Sequence, residues 1–218
     1  MAVSFRFLGC LYPSGALRRC FLFAFVLLLL SSCLLFITTA GASAMTNVSG
    51  TISQDTDWNA AGSPYVLTGS VTVSSGVTLT IEQDVVVKPQ YTGTSLIING
   101  TLNATGAIFT SSKDDVHGGD TNGDGAATSP APGDWSNVNF ATGSSGSLAG
   151  SYFLWGGWGG SIHSYAALYI NTNGSVSVSN CSISHSGSAY QPYVSEGILM
   201  SPSGMVEIPR LQAKQVFV

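Results

Sequence analysis

The chain has 218 residues, a length that fits one domain or one domain plus a targeting segment. Only 8% of the residues are charged, and 7 basic residues stand against 11 acidic ones, which gives a net charge of −4 at pH 7. The acidic excess argues against nucleic acid or an anionic surface as a partner, because either needs a basic patch.

Residues 1–44 have the order of features that defines a signal peptide. Arginines come first, the apolar run FLFAFVLLLLSSCLLFI follows, and small residues lead to Ala44. We expect an N-terminal signal helix that is cleaved after Ala44, and a protein that is secreted or held at the cell surface.

Three alternatives remain open for this segment. The apolar run is near the shortest length that spans a membrane, so it could remain as an anchor. Cys33 lies in a sequence similar to a lipoprotein box, and Arg18-Arg19 resembles a twin-arginine export signal. The membrane is therefore a partner only through an uncleaved or lipidated N-terminal segment.

Beyond Ala44 the chain becomes more acidic. Four of the seven basic residues and all 11 acidic residues remain, so the net charge of this part is −7. Cys181 is its only cysteine, which excludes an internal disulfide framework.

The sequence between Tyr65 and Gly187 predicts many short β-strands and almost no helix. β-Branched and apolar residues form brief runs that Gly, Asn and Ser interrupt. These runs are shorter than the usual strands of a sandwich. The predicted strands are residues 65–67, 71–73, 77–81, 85–87, 96–98, 107–109, 138–140, 152–154, 167–170, 176–178 and 182–183.

The predicted strands recur in units of about 20 residues, namely Gly76–Ser95, Leu96–Asp115 and Ala167–Gly187. Such repeats indicate an all-β solenoid whose coils bury apolar residues against their neighbours. We expect the solenoid over residues 45–195, with an acidic insert at 114–135 and an atypical tail or cap at 196–218. Residues 48–64, which include Trp58, would cap the first coil.

Three segments resemble the rungs of secreted bacterial proteins of the pectin-lyase-like superfamily: GVTLTIEQDVVVK, LIINGTLNATGAIFTSS and DDVHGGDTNGDGAATSPAPGDW. The resemblance implies a right-handed parallel β-helix, here a short one. Gln83-Asp84 departs from the family, whose rungs commonly carry Pro-Gly at this turn.

The acidic insert contains the sequence DTNGDG, which begins at Asp120 and matches the first part of a calcium loop. Asp120, Asn122 and Asp124 would direct oxygen atoms at one ion. Calcium takes six to eight oxygen ligands, and Asp114, Asp115 and Asp134 could supply more. The alternative is a polar, turn-rich insert that binds no ion.

The segment YFLWGGW is the densest group of aromatic residues. If Trp155 and Trp158 are exposed, their rings can stack on the apolar faces of sugar rings. The alternative is that these tryptophans belong to the hydrophobic core.

Two functions from different classes remain. The first is a non-catalytic, exported or cell-surface module that binds a polysaccharide or a cell-surface protein, with calcium as a stabilising ion. The second is a calcium-dependent polysaccharide lyase or glycoside hydrolase. Asp114-Asp115 and His117-Gly118 lie too close in sequence to match hydrolases of the superfamily, and Arg210 is the only arginine beyond Ala44. The first function is therefore favoured, and no catalytic residue is assigned.

Overall fold

The computed structural model describes residues 45–158 and 166–187 in full, and the backbone of strands at 197–200, 205–213 and 215–217. The predicted signal peptide at 1–44 lies outside the described residues. Within the described part, no helix is long and apolar enough to cross a membrane.

The described residues form one sheet of sixteen strands, and all of their pairings are parallel. A single 3₁₀ turn at Ala60–Gly62 is the only helical element described. The strands are β1 Thr46–Ile52, β2 Thr56–Trp58, β3 Tyr65–Val73, β4 Thr78–Ile81, β5 Val86–Pro89, β6 Leu96–Ile98, β7 Thr101–Thr105, β8 Ile108–Phe109, β9 Val138–Phe140, β10 Ser145–Ala149, β11 Tyr152–Leu154, β12 Leu168–Ile170, β13 Ser175–Ser184, β14 Gly197–Met200, β15 Met205–Ala213 and β16 Gln215–Phe217.

The strands lie in three stacks, which the chain visits in a fixed cycle. Stack A contains the second part of β3 with β6, β9, β12, β14 and β16. Stack B contains the first part of β3 with β5, β8, β11 and the end of β13. Stack C contains β2, β4, β7, β10 and the start of β13. The chain runs from C to B to A and back to C, which is consistent with a parallel β-helix.

The coils are longer than the predicted unit of about 20 residues. In stack C, Leu79 pairs with Leu102, twenty-three positions later, and Gly146 pairs with Val176, thirty positions later. Between Leu102 and Gly146 the spacing is forty-four positions, because the chain leaves the coil between β8 and β9. These residues, 110–137, are called the insert below.

Differences in coil length are concentrated at one corner of the coil. The connections from stack B to stack A are 68–70, 90–95, the insert and 155–167, whereas those from C to B contain two to six residues. Insertions in a solenoid commonly collect on one side, and that side is often the binding side. We call this side the B–A corner.

The core consists of the inward residues of the three stacks. Aliphatic residues predominate, and Phe109 stacks on Phe153 of the next coil with ring centroids 4.8 Å apart. The Cys181 thiol is free and buried, and burial raises its pKa.

Residues 48–64 form part of the coils. β1 pairs with β3 and β2 pairs with β4, and buried Trp58 stacks on Tyr65 at 4.7 Å. At the other end, the parallel pairing continues in β14, β15 and β16. At the turn before β5, Asp84 adopts a left-handed φ of 62°, a conformation that favours glycine.

Candidate functional site

A buried lysine holds the first half of the insert against stack B. Lys88 lies on β5 and is fully buried, and its Nζ donates to the carbonyl oxygens of Asp114 and Gly119 at 2.7 and 2.6 Å. Burial lowers the pKa of Lys88, while the nearby carboxylates of Asp114, Asp115 and Asp120 oppose that shift. Lys88 is thus both a hydrogen-bond donor and a counter-charge beneath the insert.

The Asp114 carboxylate is buried and orients a histidine. Its Oδ2 accepts hydrogen bonds from Thr110 Oγ1 at 2.6 Å and from His117 Nδ1 at 2.7 Å, and its Oδ1 accepts one from Val116 N at 3.1 Å. Burial opposes ionisation of Asp114, but the hydrogen bonds from Thr110 and His117 outweigh it and lower the pKa. Asp114 is therefore ionised at neutral pH.

An ion pair joins the two ends of the insert. Lys113 Nζ donates to Asp134 Oδ1 at 2.7 Å. The other oxygen of Asp134 accepts hydrogen bonds from Ser111 Oγ at 2.7 Å and Ala131 N at 2.9 Å. Asp134 consequently has no oxygen left without a donor.

The DTNGDG sequence forms a loop whose acidic side chains bind the loop itself. Asp120 accepts hydrogen bonds from the amides of Gly123 and Gly125 at 2.7 and 2.8 Å. Asp124 accepts hydrogen bonds from Thr128 Oγ1, from Asn122 Nδ2 and from two loop amides, and the bond from Thr128 is the main cause of its lowered pKa.

In this arrangement the side-chain oxygens of the loop face donors of the same loop. Calcium needs several oxygen atoms directed at one point, whereas Asp120 and Asp124 are occupied by donors of the loop, and Asn122 presents a nitrogen to Asp124. Among the described residues, no group of three or more His, Cys, Asp or Glu side chains is placed to hold a metal. Calcium remains a prediction from the sequence that only titration can test.

The second half of the insert is fixed by a buried tryptophan. Trp135 is fully buried, and its Nε1 donates to the carbonyl oxygen of Leu154 on β11 at 2.8 Å. Its ring lies so close to Gly156 that a Cβ at that position would be 2.8 Å from it. The insert is thus anchored at both ends.

A cleft of about 410 Å³ lies where the insert meets the ends of β11 and β13. This volume is in the range typical of small-ligand sites. Apolar and polar side chains both line the cleft, which lies at the B–A corner; its polar lining residues are called the rim below. Its lining residues are Lys113, Asp114, Asp115, Val116, His117, Ala126, Thr128, Ser129, Pro130, Leu154, Trp155, Ser184 and His185.

Trp155 forms the aromatic wall of the cleft, and its backbone conformation is unusual. Its ring is partly exposed and stacks on the His185 ring, with centroids 4.3 Å apart and planes inclined by 27°. Its φ is 66°, a left-handed value that is strained for a bulky residue. Hydrogen bonds from Trp155 N to Ser184 O and from Asp134 N to Trp155 O hold it there. Strain of this kind concentrates at functional sites and costs about 1–3 kcal/mol.

Asp115 supplies an unsatisfied acceptor to the cleft lining. Its Oδ1 is buried and accepts no hydrogen bond from the described residues. Buried polar atoms without partners are rare, and each one suggests a partner that is missing, such as a water molecule or a ligand.

The structure brings together only part of the predicted site. Of the six proposed metal ligands, Asp114 and Asp115 line the cleft, and Asp134 binds Lys113 at its edge. The other three lie in the DTNGDG loop and do not line the cleft. Trp155 lines the cleft as well, whereas Trp158 is 43% exposed and lies over Gly93.

Sequence reasoning missed the contributions of Lys88 and His185. A lysine in an otherwise apolar strand, VVVKP, was the available signal for a buried contact at position 88. The stacking of His185 on Trp155 could not be predicted, because the two residues are far apart in the sequence and meet only where neighbouring coils stack.

No protein-family model, no curated protein and no solved structure matches this chain.

Proposed function

We propose that the protein is an exported, right-handed β-helix module that binds a polysaccharide in the cleft and does not modify it. The observation that carries this proposal is the partly exposed Trp155, fixed in a strained backbone conformation beside a polar rim. An aromatic face with hydrogen-bonding groups around it suits a sugar ring, which has apolar C–H faces and a hydroxyl edge.

The fold supports this proposal because it separates the binding surface from the scaffold. The longest connection of the described coils, the insert, is at the B–A corner, while the strands beneath keep their register. Binding residues are usually found on loops that a rigid scaffold positions. The signal-peptide pattern supports export to an environment where polysaccharides are accessible.

The experiment is a binding screen of the purified protein on a polysaccharide array, followed by calorimetry with the strongest binder. We expect Trp155→Ala to weaken binding at least tenfold, because stacking on this ring would be lost. Trp158→Ala is the matched control, since Trp158 is exposed but does not line the cleft.

The proposal fails if the array shows no binding, or if Trp155→Ala and Trp158→Ala bind as well as the unchanged protein. Equal loss in both variants would place the sugar on a wider surface than the cleft. Binding of proteins but not of polysaccharides would favour a protein-contact module instead.

One observation favours an enzyme as the second candidate. Asp114 is ionised, and it orients His117 through Nδ1 at 2.7 Å, while His117 also lines the cleft. A carboxylate bound to Nδ1 leaves Nε2 as the basic nitrogen, as in general-base catalysis. Release of reducing ends from a bound polysaccharide, abolished in His117→Gln, would establish this candidate and exclude the non-catalytic one.

A further inference from the structure

We propose that the cleft selects uncharged, hydroxyl-rich saccharides and excludes acidic ones such as uronates. This inference rests on the proposed function, because it names the ligand class of the same cleft. Three features of the described residues lead to it: the engagement of the cations, the acidity of the rim and the unsatisfied acceptor on Asp115.

The cations near the cleft are already engaged. Lys88 and Lys113 are the only lysines within residues 45–158 and 166–187, which contain no arginine. Lys88 Nζ is buried and donates to two carbonyl oxygens, and Lys113 Nζ lies 2.7 Å from Asp134 Oδ1. Arg210 belongs to β15 and pairs in register with Ser179, which lies outside stack B. Lys113 lines the cleft, and an acidic sugar would have to displace Asp134 to pair with it; no other lysine or arginine among the described residues lines the cleft.

The rim also carries negative charge. Asp114 and Asp115 line the cleft, and hydrogen bonds to Asp114 keep that carboxylate ionised. The insert as a whole has five aspartates and one lysine. Charges of like sign brought together in a partly enclosed cleft repel each other more strongly than they do in bulk water. A uronate would thus meet repulsion without a compensating ion pair.

The unsatisfied Oδ1 of Asp115 points to a ligand that donates hydrogen bonds. This atom is buried and accepts nothing from the described residues, and a buried acceptor is stabilised when a donor reaches it. A sugar hydroxyl can donate such a bond, whereas an ionised carboxylate has no proton to give. Asp115 therefore favours a hydroxyl-rich ligand, and because a uronate also has ring hydroxyls, the charge of the rim is the feature that disfavours the uronate.

The test uses three pairs of hexasaccharides with the same backbone: cellohexaose, laminarihexaose and galactohexaose, each beside a form oxidised to the uronate at C6. We expect the neutral member of any bound pair to bind at least tenfold more tightly at 0.15 M salt. Equal or tighter binding of the oxidised member would overturn the inference and leave the proposed function standing. If the array also shows no polysaccharide bound, the proposed function and this inference fail together.

Two substitutions at Asp115 separate its charge from its acceptor. Asp115→Ala removes both, and we expect it to weaken binding of the neutral hexasaccharide at least fivefold. Asp115→Asn keeps Oδ1 but removes the charge, so it should retain neutral binding within threefold and reduce the preference for the neutral sugar at least threefold. Asp57→Asn, on the exposed side of β2, is the control and should change neither. An unchanged preference in Asp115→Asn would overturn the role of Asp115.

Discussion

Stacks B and C have the same inner surface but different outer surfaces. Both place apolar residues inside. The outward positions of stack C carry small polar residues such as Thr80, Asn103 and Ser147, which are partly or fully exposed. The outward positions of β5 in stack B carry Val86 and Lys88, which are buried.

The difference shows that the outward residues of a strand depend on what packs over its outer surface. A small polar residue is sufficient where the outer surface contacts water. Val86 and Lys88 instead contact the insert: Gly118 lies over Val86, and Lys88 binds two carbonyl oxygens of the insert. The comparison therefore predicts that stack B and the insert stabilise each other, and substitutions can test this.

The largest effect is expected at Trp135, the tryptophan that anchors the insert. Trp135→Ala should lower the free energy of unfolding by about 3–5 kcal/mol, because it leaves a large cavity and removes the hydrogen bond to Leu154. Denaturant unfolding measures this change. Leu102→Ala, in the core of stack C, should cost about 2–5 kcal/mol by the same mechanism. A loss below about 1 kcal/mol for Trp135→Ala would mean that the insert contributes little to stability.

The next effect is expected at Lys88. Lys88→Met should cost about 2–4 kcal/mol, because it leaves one buried and one partly buried carbonyl oxygen without a donor and a carboxylate cluster without its counter-charge. The control is Lys113→Met, whose partly exposed ion pair should contribute less than about 1 kcal/mol. Equal losses for the two variants, measured by thermal and denaturant unfolding, would contradict the distinction between them.

The Asp114 carboxylate should make stability depend on acid pH. Its pKa is lower in the folded protein than in the unfolded chain, so the unfolded chain binds more protons as the pH falls. The stabilisation is complete above the unfolded pKa of about 4 and is lost as the pH drops through the folded value. Asp114→Asn should therefore be less stable at pH 7 and should lose less stability than the unchanged protein between pH 5 and pH 2. Parallel pH profiles would contradict this prediction.

The smallest effect is expected from calcium. Because the oxygens of Asp120 and Asp124 already accept hydrogen bonds within the loop, millimolar calcium should shift the melting temperature by less than about 1 °C. A ligand that binds only the folded state raises stability with its concentration. A saturable rise that is absent in Asp120→Ala would support the calcium loop and show that the loop rearranges around the ion.

The sequence predicted the strands of the coil well where apolar residues alternate with polar ones. Residues 138–140 and 152–154 were placed correctly for this reason. The segments TLNAT and SGSLA were missed, although they are β7 and β10. In β10, Leu148 is the only large inward residue, so local periodicity is weak, and pairing with neighbouring coils decides the conformation.

The candidate site was less predictable for a related physical reason. Asp114, Asp115 and Trp155 were recognised by residue type, but their shared cleft depends on a contact between the insert and the ends of two strands. The length of the coil, the burial of Lys88 and the stacking of His185 on Trp155 all depend on residues far apart in sequence. A single sequence does not display such contacts.

The concentration of long connections at the B–A corner has a consequence for how such proteins diversify. The turn at 90–95 and the insert at 110–137 join the same two stacks in successive coils. Either connection can therefore replace the other without changing how the strands of the two stacks pair. Exchanging only these segments between coils would give a family of proteins with one scaffold and many specificities, and grafting the insert onto an earlier coil is a practical route to a second binding site in one molecule.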